Sequence, residues 1–227
     1  MSIADNLQRI RHQIAEAAVR TGRDPAAVRL VAVSKTKPAA LVDEAALSGQ
    51  LLFGENYVQE FVAKAAAVRE QVEWHFIGAL QSNKVRQLAG LVTMIHSVDR
   101  LSLAEEIDRQ WGKLGISCDI LIQVNIAGEA TKSGTTAAEL ADLVRRVAVL
   151  PHLRIQGLMT MPPFFDDPDA ARPYFRQLKE LAALIAAERI PGVAMDELSM
   201  GMSGDFEAAV EEGATLVRIG TAVFGMR

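Results

Sequence analysis

Eight short apolar runs, each separated from the next by a stretch of helical character, set the tightest limit on what this chain can fold into. The runs are "RLVAVSK", "LLFGEN", "WHFIGA", "MIHSVD", "DILIQVN", "RIQGLMTM", "DELSMGM" and "TLVRIGTAVFG", each of the length expected for a buried strand. Between them lie residues 38–49, 58–70, 83–90, 101–114, 136–150, 169–187 and 204–213, rich in Ala, Leu, Glu, Lys and Arg, which read as crossover helices. Strict alternation implies parallel pairing, because a parallel neighbour is reached only through a long crossover. An open doubly wound sheet would need edge strands of amphipathic character, and none of the runs has it. The expected fold is an α/β single-domain (β/α)8 TIM-like barrel over residues 1–227.

One more helical stretch precedes the first strand, with Ile3, Leu7, Ile10, Ile14 and Ala17 at helical spacing before a stop at Thr21-Gly22. The sequence reaches Arg227 directly after the eighth strand, so this N-terminal helix is expected to cover the place where an eighth crossover would pack. The stretch "MPPFFDDPD", residues 161–169, reads as a loop at the barrel rim rather than a domain boundary.

Half of the 227 residues are hydrophobic and 23% are charged, enough for a large core. The net charge of -4 offers no basic field to nucleic acid or anionic lipid. No apolar run approaches the roughly 18 residues of a membrane span. The N-terminal "MSIADNLQRIRHQ" carries charges where a signal peptide would be apolar, so a cytoplasmic protein with a small-molecule ligand is expected. Cys118, the only cysteine, reads as a small buried strand residue. No HExxH, paired CxxC or carboxylate triad suggests a metal, and the isolated Gly-x-Gly pieces are not a dinucleotide fingerprint.

Polar residues collect at the ends of the runs, and a parallel barrel gathers all of those ends at one mouth. Lys35 leaves the first strand there; loss of hydration favours its neutral, nucleophilic amine, which can form a Schiff base with an aldehyde. Its simpler role would be to snorkel to water. Gly201, Ser203 and Gly204 stand immediately before a helix, and Gly220-Thr221 follow the eighth strand. Loops after strands seven and eight are a recurrent phosphate site in barrels, although Ser203 alone could be a helix cap and Gly220 a turn residue. Arg218 alternates with Val217 and Ile219 and is expected to face the interior, bonded to a heterocycle nitrogen or to a carboxylate such as Glu55. His75 and His96 read as hydrogen-bonded core histidines, and Lys132 is the reserve candidate for an aldehyde partner.

An amine for an aldehyde, donors for a phosphate and a partner for a ring nitrogen describe pyridoxal 5′-phosphate. The stretches "AVSKTKP", "FGENYVQE", "WHFIGALQSNK", "HSVDR", "QVNIAGEATKSG", "GLMTM" and "LSMGMSGDFEAAVEEGATLVRIGTAVFG" resemble those of the pyridoxal-phosphate homeostasis (YggS/PROSC) family over nearly the whole chain. The resemblance implies a barrel related to the N-terminal domain of alanine racemase. It places Lys35 on the cofactor aldehyde, Ser203, Gly220 and Thr221 on the phosphate, Arg218 at the pyridine nitrogen and Asn56 in the same pocket. The expectation is a monomeric carrier that binds and buffers the cofactor, with delivery to apo-forms of dependent enzymes as a further role, and with no robust turnover of its own beyond a weak racemase-like activity. The alternative is a small racemase or a Schiff-base aldolase using Lys35.

Overall fold

Each apolar run becomes a strand, and the eight pair in chain order, all parallel, until the last returns to the first. The structure is a computed structural model and describes residues 2–129 and 133–225. The strands are β1 (Arg29–Val33), β2 (Leu52–Glu55), β3 (Glu73–Phe76), β4 (Met94–Val98), β5 (Cys118–Gln123), β6 (Leu153–Met159), β7 (Val193–Ser199) and β8 (Leu216–Ile219). Closure is made by β1 and β8 through Arg29 opposite Leu216, Leu30 opposite Val217, Val31 opposite Arg218 and Ala32 opposite Ile219. The expected barrel is the observed one.

Alternation along the strands separates two cores. Leu30, Ala32, Phe53, Trp74, Phe76, Ile95, Ile120, Ile122, Val217 and Ile219 belong to the large cluster between barrel and helices. Their neighbours Val31, Leu52, Met94 and Leu121 join Met159 and Leu216 in a smaller cluster inside the barrel. Because side chains on a strand alternate faces, Arg218 shares the interior face with Leu216, and His75 with its register partner Met94. Cys118 is fully buried and makes no disulfide, and burial pushes its thiol pKa up.

The crossovers are α2 (Ala39–Leu47), α3 (Val58–Ala67), α4 (Leu101–Gly112), α5 (Leu140–Val147), α6 (Arg172–Ala187) and α7 (Phe206–Glu212), with a short α8 (Thr221–Phe224) after β8. Between β3 and β4 the structure departs from the expected crossover helix. Residues 83–90 were expected to be an α-helix, but Ser82–Gln87 form a 3-10 helix whose bonds span three residues, Lys84 N–H to Gln81 C=O and Leu88 N–H to Val85 C=O. The segment is too short and polar to propagate an α-helix before Gly90 turns the chain at positive φ.

The N-terminal helix α1 (Ile3–Arg20) starts from a capping box between Ser2 and Asp5 and buries Ile3, Leu7, Ile10, Ile14 and Ala17. It covers the β8–β1 seam: Asn6 donates to Val223 C=O, Arg20 pairs with Glu207 and Glu211 of α7, and Arg11 reaches Gly49 C=O beyond α2. Among the described residues, no helix is long and apolar enough to cross a membrane.

Because α1 packs over the β8–β1 seam, truncating its buried stripe is expected to weaken the whole barrel. Ile10→Ala is expected to cost about 2–5 kcal/mol in urea unfolding, whereas Val19→Ala, at a position 64% exposed on the same helix, stays within about 0.5 kcal/mol.

Candidate functional site

At the C-terminal mouth of the barrel lies a pocket of about 310 Å³, and Lys35, Asn56, Ser203, Arg218, Gly220 and Thr221 all line it. These residues come from segments up to 186 positions apart, counting from Lys35 to Thr221. Lys132, the reserve lysine, lies outside the described residues. The rim is apolar: Met161, Pro163, Phe164 and Phe165 of the loop after β6 close one side, with Phe164 84% exposed.

Lys35 stands on a tight turn. Lys37 N–H donates to Ser34 C=O at 3.0 Å, which places Lys35 and Thr36 at the two central positions. Thr36 has φ 64°, the left-handed value that a type II turn requires and that a β-branched residue rarely adopts. Such strain persists only where the surroundings over-determine it, and here they do. Glu60 Oε1 accepts the Thr36 N–H at 2.5 Å, while Lys64 Nζ donates to Ser34 C=O at 2.6 Å. Lys64 Nζ also donates to Glu60 Oε1 at 2.8 Å and to Glu55 Oε1 at 2.5 Å, and Ser34 Oγ donates to the same Glu55 oxygen at 2.6 Å. Both backbone neighbours of Lys35 are thus held by one buried ion-pair network at the end of β2 and along α3.

Glu55 is the tense member of that network. Its Oε2 is buried without a hydrogen-bond partner, and burial raises its carboxyl above the ordinary value of 4.5, against the lowering effect of Lys64 and Ser34. The pairing also answers the question of the Arg218 partner, because Glu55 is bound to Lys64 instead. Lys64 had a visible signal: it follows Val58 and Phe61 at helical spacing on the buried stripe of α3, where a lysine needs a buried acceptor. Glu60, four residues earlier, was legible as its helical pair, but Glu55 was not.

Arg218 is buried, only 4% exposed, and bonded to neutral oxygens. Its Nη1 donates to Ser199 Oγ at 2.5 Å and its Nη2 to Thr160 C=O at 3.0 Å. Burial lowers its pKa to about 10, so it remains cationic at neutral pH. Across the pocket, the chain from Gly201 to Asp205 turns tightly, with Met202 N–H donating to Asp205 Oδ1 at 2.6 Å and Arg218 N–H to Gly201 C=O at 3.0 Å. This bond ties the Ser203 loop to β8. Asp205 also lines the pocket, and burial raises its pKa. Asn56 is set by close backbone approach: a Cβ on Gly78 would sit 2.1 Å from Asn56 C=O, so only glycine fits there.

The profile described as "Alanine racemase, N-terminal domain" matches residues 6–227. A pyridoxal phosphate homeostasis protein of Aquifex aeolicus is 46% identical over 228 residues, covering 100% of this chain and 99% of the relative. The chain belongs to the pyridoxal phosphate homeostasis protein family. A second member, from Pseudomonas aeruginosa, is also 46% identical over 227 residues, covering 100% of this chain and 96% of its own. Among solved structures, PipY of Synechococcus elongatus with pyridoxal phosphate bound superposes with a TM-score of 0.84 at 38% identity, over 99% of this chain and 100% of PipY. The family resemblance seen in the sequence motifs therefore holds across the fold.

The Lys64 network yields a pH-dependent expectation. A carboxyl whose folded pKa lies above its unfolded value binds its proton more tightly in the folded state, so stability falls as pH rises from the unfolded value toward the folded one. Lys64→Met removes a lowering influence on Glu55 and widens that window. The variant is expected to lose about 3–5 kcal/mol at pH 8 and progressively less as the pH is brought toward 4.5, measured by denaturant unfolding across pH. A loss independent of pH would remove Glu55 from the explanation.

Proposed function

We propose that this protein binds pyridoxal 5′-phosphate in the Lys35 pocket and serves cofactor homeostasis by holding, buffering and releasing it, without efficient turnover of substrates. The observation that carries this reading is the convergence of one amine, two hydroxyls and one buried guanidinium on a single cavity of about 310 Å³, a size suited to a small cofactor. The donor set fits the group. Lys35 would hold the aldehyde, Ser203 and Thr221 with the backbone around Gly220 would hold the phosphate, Arg218 would face the ring nitrogen, and Asn56 would line the ring. The cofactor itself supplies a reversible aldehyde and an aromatic ring able to take up electron density.

Two features favour carrying over catalysing. Among the described residues lining the pocket, the only titratable groups are Lys35, Asp205 and Arg218. Tyr57 is half exposed, and Tyr174 packs on Phe165 with ring centroids 5.7 Å apart, outside the lining. A second proton-transfer base facing Lys35 would therefore have to be Asp205, which already accepts the Met202 N–H. A cationic Arg218 at the ring nitrogen would also keep that nitrogen unprotonated and weaken the ring as an electron sink. Release to apo-enzymes as a monomer in the cytoplasm completes the reading.

Borohydride treatment of the loaded protein is expected to fix the cofactor to the Lys35 peptide, and Lys35→Ala to abolish the label while leaving the melting curve unchanged. Label on Lys132 would move the covalent role there. Incubation with amino acids in deuterated water should give no appreciable racemisation or cleavage, and brisk product formation would install the enzyme reading instead. Ser203→Ala and Thr221→Val should each weaken the phosphorylated cofactor more than pyridoxal, by about 1.5–3 kcal/mol for a charge-assisted bond. Equal losses for both ligands in fluorescence titrations would assign these hydroxyls to the fold or the ring rather than to phosphate.

A further inference from the structure

Behind the pocket, the barrel interior contains a row of polar side chains that cofactor binding by itself leaves unexplained. Starting at Arg218, Ser199 Oγ lies 2.5 Å from Nη1, and His96 Nδ1 lies 2.9 Å from the same serine oxygen. His96 Nε2 is 2.9 Å from His75 Nδ1, and His75 Nε2 is 3.1 Å from Glu73 Oε1. Thr93 Oγ1 donates to that Glu73 oxygen at 2.9 Å. Ser199, His96, His75 and Arg218 are all buried, whereas Glu73 opens to a separate cavity of about 180 Å³, shared with Arg29, Asp119 and Glu197. Glu73 and His75 begin β3, Met94 and His96 lie on β4, and Ser199 ends β7 beside Arg218 of β8. The row therefore links the two mouths of the barrel.

The chemistry of its two ends fixes the outer bonds, and a neutral His75 then fixes those between. A guanidinium can only donate, and an ionised carboxylate can only accept. His75 bonding holds the Glu73 carboxyl down at about 2, so it is ionised at neutral pH. His75 Nε2–H must then donate to Glu73, which leaves Nδ1 to accept from His96 Nε2–H. Burial, helped by the nearby charge of Arg218, holds the His96 pKa well below the usual range, so its ring is neutral. Its Nδ1 accepts from the Ser199 hydroxyl, whose lone pair takes the Arg218 N–H. Were both ends of His75 protonated, His96 would have to donate toward Ser199, and the serine proton would lose its acceptor in this row.

We propose that Ser199, His96, His75 and Glu73 are positioning residues for Arg218: a one-way hydrogen-bond chain from the opposite mouth that locks the guanidinium at the pocket wall as a donor. Its other protein acceptor, Thr160 C=O, is neutral as well, and no ion pair to Arg218 occurs among the described residues. No carboxylate is bonded to the guanidinium among the described residues, and Asp205 of the same lining acts on it only through space, so Arg218 presents its N–H groups to the pocket as a donor wall suited to a neutral ring-nitrogen acceptor. That acceptor rests on the cofactor reading above; the chain itself does not.

Two measurements keep the two readings apart. In the ligand-free full chain with ¹⁵N-labelled histidine, long-range ¹H–¹⁵N correlation should show His75 and His96 both as Nε2–H tautomers. Glu73→Gln, whose amide can donate or accept, should bring a second tautomer of His96 into view. An Nδ1–H form of either ring in the parent, or an unchanged His96 in Glu73→Gln, overturns the chain. With ligand, Ser199→Ala should weaken pyridoxal 5′-phosphate by about tenfold, the loss of one hydrogen bond. The same variant should leave an analogue with carbon in place of the ring nitrogen unchanged, and Ser199→Thr should restore the parent affinity. Equal weakening of both ligands, or none, overturns the positioning role. A parent that binds neither ligand overturns the cofactor reading alone and leaves the tautomer result to decide the chain.

Discussion

The pairing of β8 with β1 is the interaction on which the rest of this molecule depends. Four register pairs close the sheet, and one of them sets Val31 beside Arg218. Closure brings the Lys35 turn, two residues beyond β1, to the same mouth as Gly220-Thr221, directly beyond β8. Without it, the amine and the residues proposed for the phosphate would lie at opposite edges of an open sheet. Closure also leaves no sheet edge exposed, so every backbone group along the strands has a neighbour.

Closing the barrel creates a second requirement, because an interior built from strands must be filled. Val31, Leu52, Met94, Leu121, Met159 and Leu216 fill part of it with apolar side chains. The remainder takes His75, His96, Ser199 and Arg218, and each of these has its bonds satisfied by the next. Buried polar groups are tolerated on that condition, since an unpaired one costs more than its hydrogen bond returns. The Lys64 network follows the same rule outside the barrel, where it restrains the backbone on both sides of Lys35 and supports Thr36 in a conformation it would otherwise avoid.

Much of this was readable from residue order. The strand runs, the stripe of Ile3, Leu7, Ile10 and Ile14, and Lys35 at a strand end are local signals of period and burial, and they hold in the structure. The interior orientation of Arg218 followed from two-residue alternation. Where the reading departed from the structure, a local signal had been overruled or had two outcomes. Residues 83–90 have helical composition but too few turns to sustain an α-helix. Arg218 needed an acceptor, and nothing local distinguished Glu55 from Ser199.

The sequence by itself determined the class of fold and the mouth at which polar residues gather, because strand period and crossover length are properties of neighbouring residues; the roles proposed for the cofactor-holding residues came from the resemblance of their motifs to a family. Only the tertiary structure decided who bonds whom: Glu55 with Lys64, Arg218 with Ser199, His96 with His75. The physical reason is distance along the chain. Ser199 and His96 are separated by 103 positions, and no periodicity carries information across such a span. Their meeting depends on barrel closure and strand register, and with it the direction of every proton in the row behind the pocket.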